Sequence, residues 1–507
     1  MKKIFFYIIT NFHKFNLKGY FFSVLSRTKE IKMKENTLLK TLIFFTIINC
    51  IYLFITIFIG SKAMADDLEH IHASWLIWQG QIPYSDFFEH HHPLLWYIFS
   101  PIVGFFSGNT FIFFINRIIV SICSLVSLYV VYNIIKNFIS NKLTALTAIN
   151  IYCFSSTAMS SMVQFKPDAF MQLFFWIGIY FLFSFLKNKK QHQLNISMLS
   201  FTIAFCFLQT VIFLALPLSI CIIYYIYKKE ITWKNIALSL ILPFVTLSLF
   251  FGHMLILGNL QRYYELNWVV NSAIYDEIKA NSITNFSSLY SILICGFISA
   301  LFLLINKPNK YTIILFTMYI TELLLRTTYI SIGLYYFKIL LLYNAIIISI
   351  AIITIYQKYK YLGYLFLTLG IIWCGKFWIF EDVGEINSLT IVGIATDIAK
   401  NSNSDDIVLA TTNMPLGLFN QNPHYYWFSW TYIGKIDEKL FHYKEPYDIN
   451  KIIVEKKPKF IYFEDNLKQN YKATNVYDIK PEILSEFYEN AKYNTLYQLK
   501  NKTNNLN

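Results

Sequence analysis

Long apolar stretches, separated by short loops rich in lysine, fill most of this 507-residue chain. Eleven stretches can be told apart, and most are close to the ~20 residues that an α-helix needs to cross the hydrocarbon core of a membrane. They lie at about residues 40–60, 111–135, 143–162, 169–186, 194–208, 210–227, 235–257, 286–305, 311–330, 336–356 and 361–380. The pattern predicts an α-helical, polytopic membrane protein with about eleven transmembrane helices.

Two apolar regions differ in length from a single membrane crossing. Residues 194–227 form one long run that exceeds a single crossing, so we divide it between Gln209 and Thr210. Residues 93–107 are apolar but too short to cross a membrane. We expect them to form a short helix in the outer leaflet.

The lysines and arginines set the expected orientation, because cytoplasmic loops of membrane proteins are enriched in them. Residues 1–38 carry eight of these side chains against two glutamates, and we expect them to form a basic cytoplasmic arm. Eleven crossings then place the loop 61–92 and everything after residue 380 outside. The sequence thus predicts a multi-pass protein of the plasma membrane (the bacterial inner membrane) with an external, periplasmic C-terminal region.

The composition agrees with this interpretation. The chain is 56% hydrophobic and carries a formal net charge of +13. A soluble domain of this size could not bury so much apolar surface. The lysines lie in short loops between apolar stretches, so the charge follows from membrane topology, and we expect no nucleic-acid partner.

The composition changes after residues 39–380, which we expect to form the transmembrane domain. Residues 381–507 are rich in asparagine, lysine and acidic side chains. Two short apolar runs, at 407–410 and 460–463, are typical of buried strands. We predict a small external α/β domain here, which ends in a polar tail.

The polar segment between Met64 and Pro93 stands out in a chain that is only 14% charged. It concentrates five of the ten histidines and five acids, namely His70, His72, His90, His91, His92, Asp66, Asp67, Glu69, Asp86 and Glu89. A helix over residues 64–79 would place several of these groups on one face. Ionisable groups held beside a membrane are costly and usually functional, so we expect the chemistry here.

The spacing within this segment closely resembles a known motif. The aspartates at 66–67, the Gly-x-x-Pro-Tyr-x-Asp-Phe run at 80–87 and the His-His-Pro-Leu run at 91–94 resemble the first external loop of polytopic GT-C glycosyltransferases. The nearest groups are bacterial relatives of the protein O-mannosyltransferases and the lipid A aminoarabinose transferases. Lys166-Pro167-Asp168 stands where these proteins often have Arg-Pro-Asp.

The resemblance implies an inverting membrane glycosyltransferase that takes a sugar from a polyprenyl-phosphate donor on the external face. The expected acceptor is a glycan, a lipid such as lipid A, or a protein, and membrane lipid is a further partner. In this family an external aspartate is catalytic, which implies Asp66 as the general base. Asp67 is the second choice, and Asp168 is a third.

Cationic or hydrogen-bonding groups must also meet the negative charge that develops on the departing phosphate. The candidate substrate-binding residues are His90, His91, His92, Lys166, Arg326, Tyr335 and Tyr336. Some relatives of this fold use divalent ions and others do not, so the cofactor stays unknown. The candidate ligands for a divalent metal are Asp66, Asp168 and His91.

Simpler interpretations compete with these roles. Lys166 and Asp168 could form an ion pair at the end of a span, and Glu322 could pair with Arg326 four residues later. Arg117 could snorkel towards the outer surface. A carrier of lipid-linked oligosaccharides without covalent chemistry would predict inverted repeats and polar groups near mid-bilayer. We see no repeat, and the ionisable residues gather at one face, which favours the transferase.

Overall fold

The computed structural model is mostly helical. It describes residues 35–59, 64–273, 287–305, 308–328, 338–359, 361–363, 365, 388–410, 416–427, 432–446, 448–462, 479–491 and 496–500. The chain divides into two compact units, Met1–Phe44 and Phe45–Asn507. Helix α1 (Glu35–Ile59) begins in the first unit, and the elements that follow it lie in the second.

Helices α2 (Met64–Trp78) and α3 (Leu94–Phe105) flank the turn of the polar segment. Helix α2 carries two acids in its first turn, which suits the positive end of the helix dipole. The chain leaves α2 through Gly80, whose φ of +86° favours glycine. Gly104 of α3 packs against the ring of Trp78, where a Cβ atom would overlap the indole. The short helix predicted after the polar segment is therefore present, packed on α2.

The helices of the apolar region follow in chain order. They are α4 (Ile112–Ile134), α5 (Lys142–Cys153), α6 (Ser156–Ser161), α7 (Pro167–Asn188), α8 (Gln191–Phe207), α9 (Ile212–Tyr227), α10 (Trp233–Ser239), α11 (Ile241–Ile256), α12 (Leu260–Tyr264), α13 (Ser287–Ile305), α14 (Lys310–Thr328) and α15 (Lys338–Lys358). A π-helical segment, Ile135–Ile139, extends α4, and another, Glu265–Val270, extends α12. Helix α7 packs against α4 and α8, and α15 packs against α5 and α13. These apolar helices therefore bury one another's faces.

Six helical stretches within the described residues are long and apolar enough to cross a membrane. They are Thr37–Ile59, Ile112–Ile139, Pro167–Asn188, Gln209–Tyr227, Trp233–Ile256 and Ile339–Lys358. Each coincides with a crossing predicted from the sequence. The division between Gln209 and Thr210 is close to the observed break, since α8 ends at Phe207 and a 3-10 turn begins at Gln209.

One predicted crossing is wrong as a continuous helix. Residues 143–162 are interrupted between α5 and α6, where the side chain of Ser155 accepts a hydrogen bond from the backbone N–H of Ala158. A serine that bonds to nearby backbone competes with helix continuation, which favours such a break. The last predicted crossing, 361–380, lies almost entirely outside the described residues. The total of eleven crossings therefore stays a prediction.

The C-terminal region combines short helices with a sheet. Its elements are α16 (Ser388–Asn401), β1 (Val408–Ala410), α17 (Tyr432–Phe441), α18 (Ile449–Lys456), β2 (Phe460–Tyr462), α19 (Pro481–Phe487), β3 (Tyr488–Asn490) and β4 (Leu496–Leu499). The described strands form a four-stranded sheet in the order β1-β2-β4-β3. Strands β1 and β2 are parallel, and the other neighbours are antiparallel. The two strands predicted from sequence are this parallel pair.

A small apolar core explains why these strands could be read from the sequence. Leu409 of β1 and Ile461 of β2 are completely buried, and they pack with Ile449 and Ile453 of α18 and with Tyr488 of β3. A strand whose side chains are all buried reads as a continuous apolar run. That the region faces the outside of the membrane stays a prediction.

Candidate active site

The two adjacent aspartates at the start of α2 face different partners. Asp67 is completely buried, and Arg117 of α4 donates two hydrogen bonds to its Oδ2 atom, from Nε at 3.0 Å and from Nη2 at 2.6 Å. The guanidinium of Arg117 also lies over the ring of Phe113, 4.4 Å from its centroid. Arg117 is thus enclosed as the partner of Asp67 rather than extended to the surface.

The other carboxylate oxygen of Asp67 accepts a hydrogen bond from the backbone N–H of Phe165. This bond holds the segment that leads into α7, and the next residue, Lys166, forms an ion pair with Asp66. The side chain of Lys166 is 8% exposed and that of Asp66 is 29% exposed. Of the two aspartates, Asp66 is therefore the one that a substrate can reach.

A second group of ionisable side chains lies one turn further along α2. The Nδ1 atom of His91 is 3.4 Å from Glu69 Oε1 and 3.5 Å from Glu89 Oε2. The side chain of His91 is 26% exposed, whereas both glutamates are buried. His91 is therefore the accessible member of the group, with two carboxyl groups behind it.

Burial favours the protonated form of both carboxyl groups. It raises the pKa of Glu89 to about 8, with the charge of Glu69 as the next cause. Burial and then the charge of Asp66 raise the pKa of Glu69 well above its ordinary value, although the charge of Lys166 opposes them. A carboxyl group with a pKa near 8 is largely protonated at neutral pH and can donate a hydrogen bond.

The raised pKa of Glu89 predicts that the protein loses stability as the pH rises. The ordinary pKa is 4.5, so the stabilising contribution is fully present below that value and is lost as the pH rises through about 8. We expect the thermal unfolding midpoint, measured in detergent with a chelator, to fall across this range. Glu89→Gln mimics the protonated form and should flatten the curve. An unchanged slope in the variant would assign the pH dependence to another group.

His92 and His90 fasten the polar segment to neighbouring elements. His92 donates a hydrogen bond from Nδ1 to the carbonyl of Phe205 at 2.8 Å, and the hydroxyl of Tyr263 donates to its Nε2 at 2.8 Å. Burial lowers the pKa of His92 to about 3 and also lowers that of His90, whose carbonyl accepts from Asn271. Both rings are neutral, and His92 is completely buried while His90 is half-buried, which favours a positioning role over contact with a donor phosphate.

One group among the described residues could hold a metal ion. Its members are Glu69, Glu89, His90 and His91. One ligand atom from each lies within 4.8 Å of the others, and two carboxylates with two imidazoles suit a zinc or manganese ion. Among the described atoms Glu89 Oε1 is buried without a hydrogen-bond partner, so its lone pairs are available. The predicted ligand His91 belongs to this group, whereas Asp66 and Asp168 lie outside it.

The other residues predicted for the site are Asp168, Arg326, Tyr335 and Tyr336. Asp168 lies in the first turn of α7, two residues after Lys166, where a carboxylate suits the helix dipole. Arg326 belongs to α14, but its side chain lies outside the described part of the chain. Tyr335 and Tyr336 lie outside the described residues altogether. The roles predicted for these residues stay predictions.

Sequence reasoning included Glu69 and Glu89 in the polar cluster but assigned neither of them an individual role in the site. A signal for Glu69 was present, because it follows Asp66 by three residues and so lies on the same face of a helix. Glu89 directly precedes the histidine run, which is a weaker signal. Neither signal indicates that the two carboxyl groups meet, because they belong to opposite ends of the polar segment.

Comparison with known families gives one match. Residues 91–256, about a third of the chain, match the family model described as dolichyl-phosphate-mannose-protein mannosyltransferase. The matched part contains His91, Lys166 and Asp168 and begins after Asp66. No curated protein matches the chain.

Proposed function

We propose that this chain, which the family match marks as a membrane glycosyltransferase of the GT-C kind, moves a sugar from a polyprenyl-phosphate donor to an acceptor on the external face. The proposed acceptor is a hydroxyl group of a glycan, a lipid or a protein. The main support for the proposal is the difference between the two adjacent aspartates. Asp66 is partly exposed and pairs with the nearly buried Lys166, whereas Asp67 is buried in an ion pair with Arg117.

Asp66 is the proposed general base. The acceptor oxygen forms a bond to C1 of the sugar while the bond from C1 to the phosphate oxygen breaks. The hydroxyl proton goes to the carboxylate of Asp66, and the electron pair leaves with the polyprenyl phosphate. Attack from the side opposite the departing phosphate inverts the configuration at C1.

Lys166 and His91 are the proposed phosphate partners. Negative charge grows on the phosphate as its bond to the sugar breaks, so a cation aimed at it stabilises the transition state more than the ground state. An incoming phosphate would compete with Asp66 for the ammonium of Lys166. Donor binding would thereby release the carboxylate of Asp66 to accept the acceptor's proton.

A divalent cation held by Glu69, Glu89, His90 and His91 would add positive charge beside the phosphate. These residues fit such an ion through their donor set and the available Oε1 atom of Glu89. Without the ion, the same group keeps His91 next to a protonated Glu89. The proposed proton transfer to Asp66 is the same in either case.

The proposed topology places residues 1–38 in the cytoplasm and residues 39–380 in the bacterial inner membrane. Residues 381–507 would form an external domain. The backbone N–H of Phe88 in the polar segment donates to the carbonyl of Tyr425, at 3.0 Å. Two segments in contact must lie on the same side of the membrane, which supports a shared location; the proposal that this side is external follows from the basic loops.

Replacing Lys166 tests donor recognition. We expect Lys166→Met to raise the KM for the donor and lower kcat, so that kcat/KM falls by about 100-fold, because the lost charge acts mainly in the transition state. Lys166→Arg keeps the charge and should retain most activity. The measurement is transfer of labelled sugar from a polyprenyl-phosphate donor in proteoliposomes.

A matched control for this experiment is Lys189→Met. Lys189 follows the other end of α7 and pairs with Glu230 at 3.2 Å, far along the helix from the proposed site. It should leave both kinetic parameters unchanged. Wild-type kinetics in Lys166→Met as well would assign phosphate recognition to His91 alone.

The acceptor and the carrier hypothesis can be addressed together. Mass analysis of surface glycans, lipid A and envelope proteins, with and without this chain, should reveal one component that loses the mass of a single sugar. A carrier without covalent chemistry would instead cause whole oligosaccharides to disappear. That second outcome would contradict the proposed transfer reaction.

A further inference from the structure

A buried network joins the C-terminal region to the polar segment through Arg262 of α12. Arg262 is 5% exposed and forms an ion pair with Asp437 of α17, which is completely buried. Its Nη1 atom also contacts Glu265 Oε2 at 3.0 Å. Its guanidinium lies over the ring of Tyr443, 4.2 Å from the centroid. Arg262 therefore ties three parts of the chain together at one buried point.

Tyr425 carries this network to the polar segment. Its hydroxyl accepts hydrogen bonds from Arg262, from Nε at 3.3 Å and from Nη2 at 3.2 Å. The same hydroxyl donates to the carbonyl of Tyr84 at 2.7 Å. The backbone carbonyl of Tyr425 accepts from the N–H of Phe88 at 3.0 Å. One residue of the C-terminal region thus holds both ends of the turn at residues 84–88.

This turn needs support from outside. Tyr84 has a φ of +69°, in the left-handed region that a bulky side chain rarely adopts. Such a conformation persists only where surrounding contacts impose it. Tyr84 also donates from its hydroxyl to the carbonyl of His91 at 2.6 Å. The conformation of Tyr84 therefore bears directly on where His91 lies.

We propose that Arg262 and Tyr425 are positioning residues for the transfer reaction, because they hold the turn at 84–88 and with it the phosphate partner His91. The expected effect on kcat rests on the proposed function, whereas the expected effect on the turn at 84–88 does not. The C-terminal region then acts as part of the catalytic apparatus. Its contribution is to fix the distance between His91 and Asp66 on α2.

Tyr425→Phe is the most conservative test. It removes the hydroxyl that joins Arg262 to Tyr84, while the ring and the backbone bond to Phe88 remain. We expect amide hydrogen exchange over residues 84–91 to become about tenfold faster, because one of the three lost hydrogen bonds, the bond to the Tyr84 carbonyl, reaches the turn. Exchange in the apolar helices should not change.

The kinetic expectation separates positioning from folding. A small displacement of a group that acts in the transition state lowers kcat strongly, and we expect a fall of about 10- to 100-fold for Tyr425→Phe, measured per folded protein. The KM for the acceptor should stay within about a factor of two. A purely structural contact would lower the yield of folded protein and leave kcat unchanged.

Arg262→Gln with Asp437→Asn provides a second variant, which removes both charges of the buried pair and leaves neither without its partner. It should reproduce the faster exchange and the lower kcat. The matched control is Lys459→Gln with Asp406→Asn, which removes an ion pair of 2.8 Å beside the sheet of the same region. The control should leave exchange at 84–91 and kcat unchanged.

The results distinguish the positioning role of Arg262 and Tyr425 from the proposed sugar transfer. Unchanged exchange at residues 84–91 in Tyr425→Phe would overturn the positioning role, whatever the activity. Faster exchange with an unchanged kcat would show that the turn moves without affecting transfer, and would also overturn it. Faster exchange in Tyr425→Phe, together with a wild-type protein that transfers no sugar from any polyprenyl-phosphate donor, would reject the proposed function and retain the structural link.

Discussion

Asp66→Asn is expected to lower the rate of sugar transfer by about 100- to 10,000-fold, the range that a general base contributes. The substitution keeps the size of the side chain and removes its ability to accept a proton. Asp66 is partly exposed, so removing its charge leaves only one nearly buried group, Lys166, without its ionic partner. We therefore expect membrane insertion to persist and the loss to fall on kcat far more than on the KM for the donor.

The control for this prediction is Asp86→Asn, which changes another acid of the polar segment. Asp86 caps its own turn by accepting a hydrogen bond from the backbone N–H of Ile82 at 2.7 Å. Asparagine keeps an oxygen that can accept this bond and hold the turn, so the variant should leave kcat close to the wild-type value. Transfer is measured from a labelled polyprenyl-phosphate donor in proteoliposomes. Wild-type turnover in Asp66→Asn would move the assignment to Asp67 or Asp168.

Arg117→Met is expected to destabilise the protein by about 3–5 kcal/mol, because it leaves the completely buried carboxylate of Asp67 without its charged partner. The double variant Asp67→Asn/Arg117→Met removes both charges and keeps an oxygen to accept from the N–H of Phe165. It should be much closer to wild type in stability. Thermal unfolding in detergent provides the comparison.

The double variant also decides between the two aspartates. If Asp67 only anchors the segment before α7, Asp67→Asn/Arg117→Met should still transfer sugar, within about tenfold of the wild-type rate. Complete loss of transfer in a folded double variant would make Asp67 the base. A single Arg117→Met that unfolds like wild type would show that the ion pair does not hold this part of the structure.

The apolar stretches could be predicted because the membrane acts on each of them separately. A span must carry about 20 apolar residues whatever its neighbours are. The observed helices Ile112–Ile139 and Pro167–Asn188 follow the hydropathy pattern closely. The break at Ser155 could not be predicted in the same way, since it depends on one side chain that bonds to its own backbone.

The candidate site could be predicted as a segment of the sequence, but its internal contacts could not. The concentration of acids and histidines in one polar segment is a local property, and so is the resemblance of its spacing to a known motif. Glu69 and Glu89 are both in that segment, yet their contact around His91 depends on the turn that brings the end of the segment back to α2. That turn depends on Tyr425, which is 341 residues from Tyr84 along the chain.

The sequence by itself determined that this is a polytopic membrane protein, and it predicted that the chemistry lies in the first polar segment. Only the tertiary structure decided which aspartate is available. Asp67 is taken by Arg117, 50 residues away, and by the backbone of Phe165, 98 residues away. Asp66 and Asp67 are chemically alike, and their difference arises from what the neighbouring helices place beside each of them. Hydropathy acts along the chain, whereas the pairing of buried charges acts between helices, because a buried charge is tolerated only where packing supplies its partner.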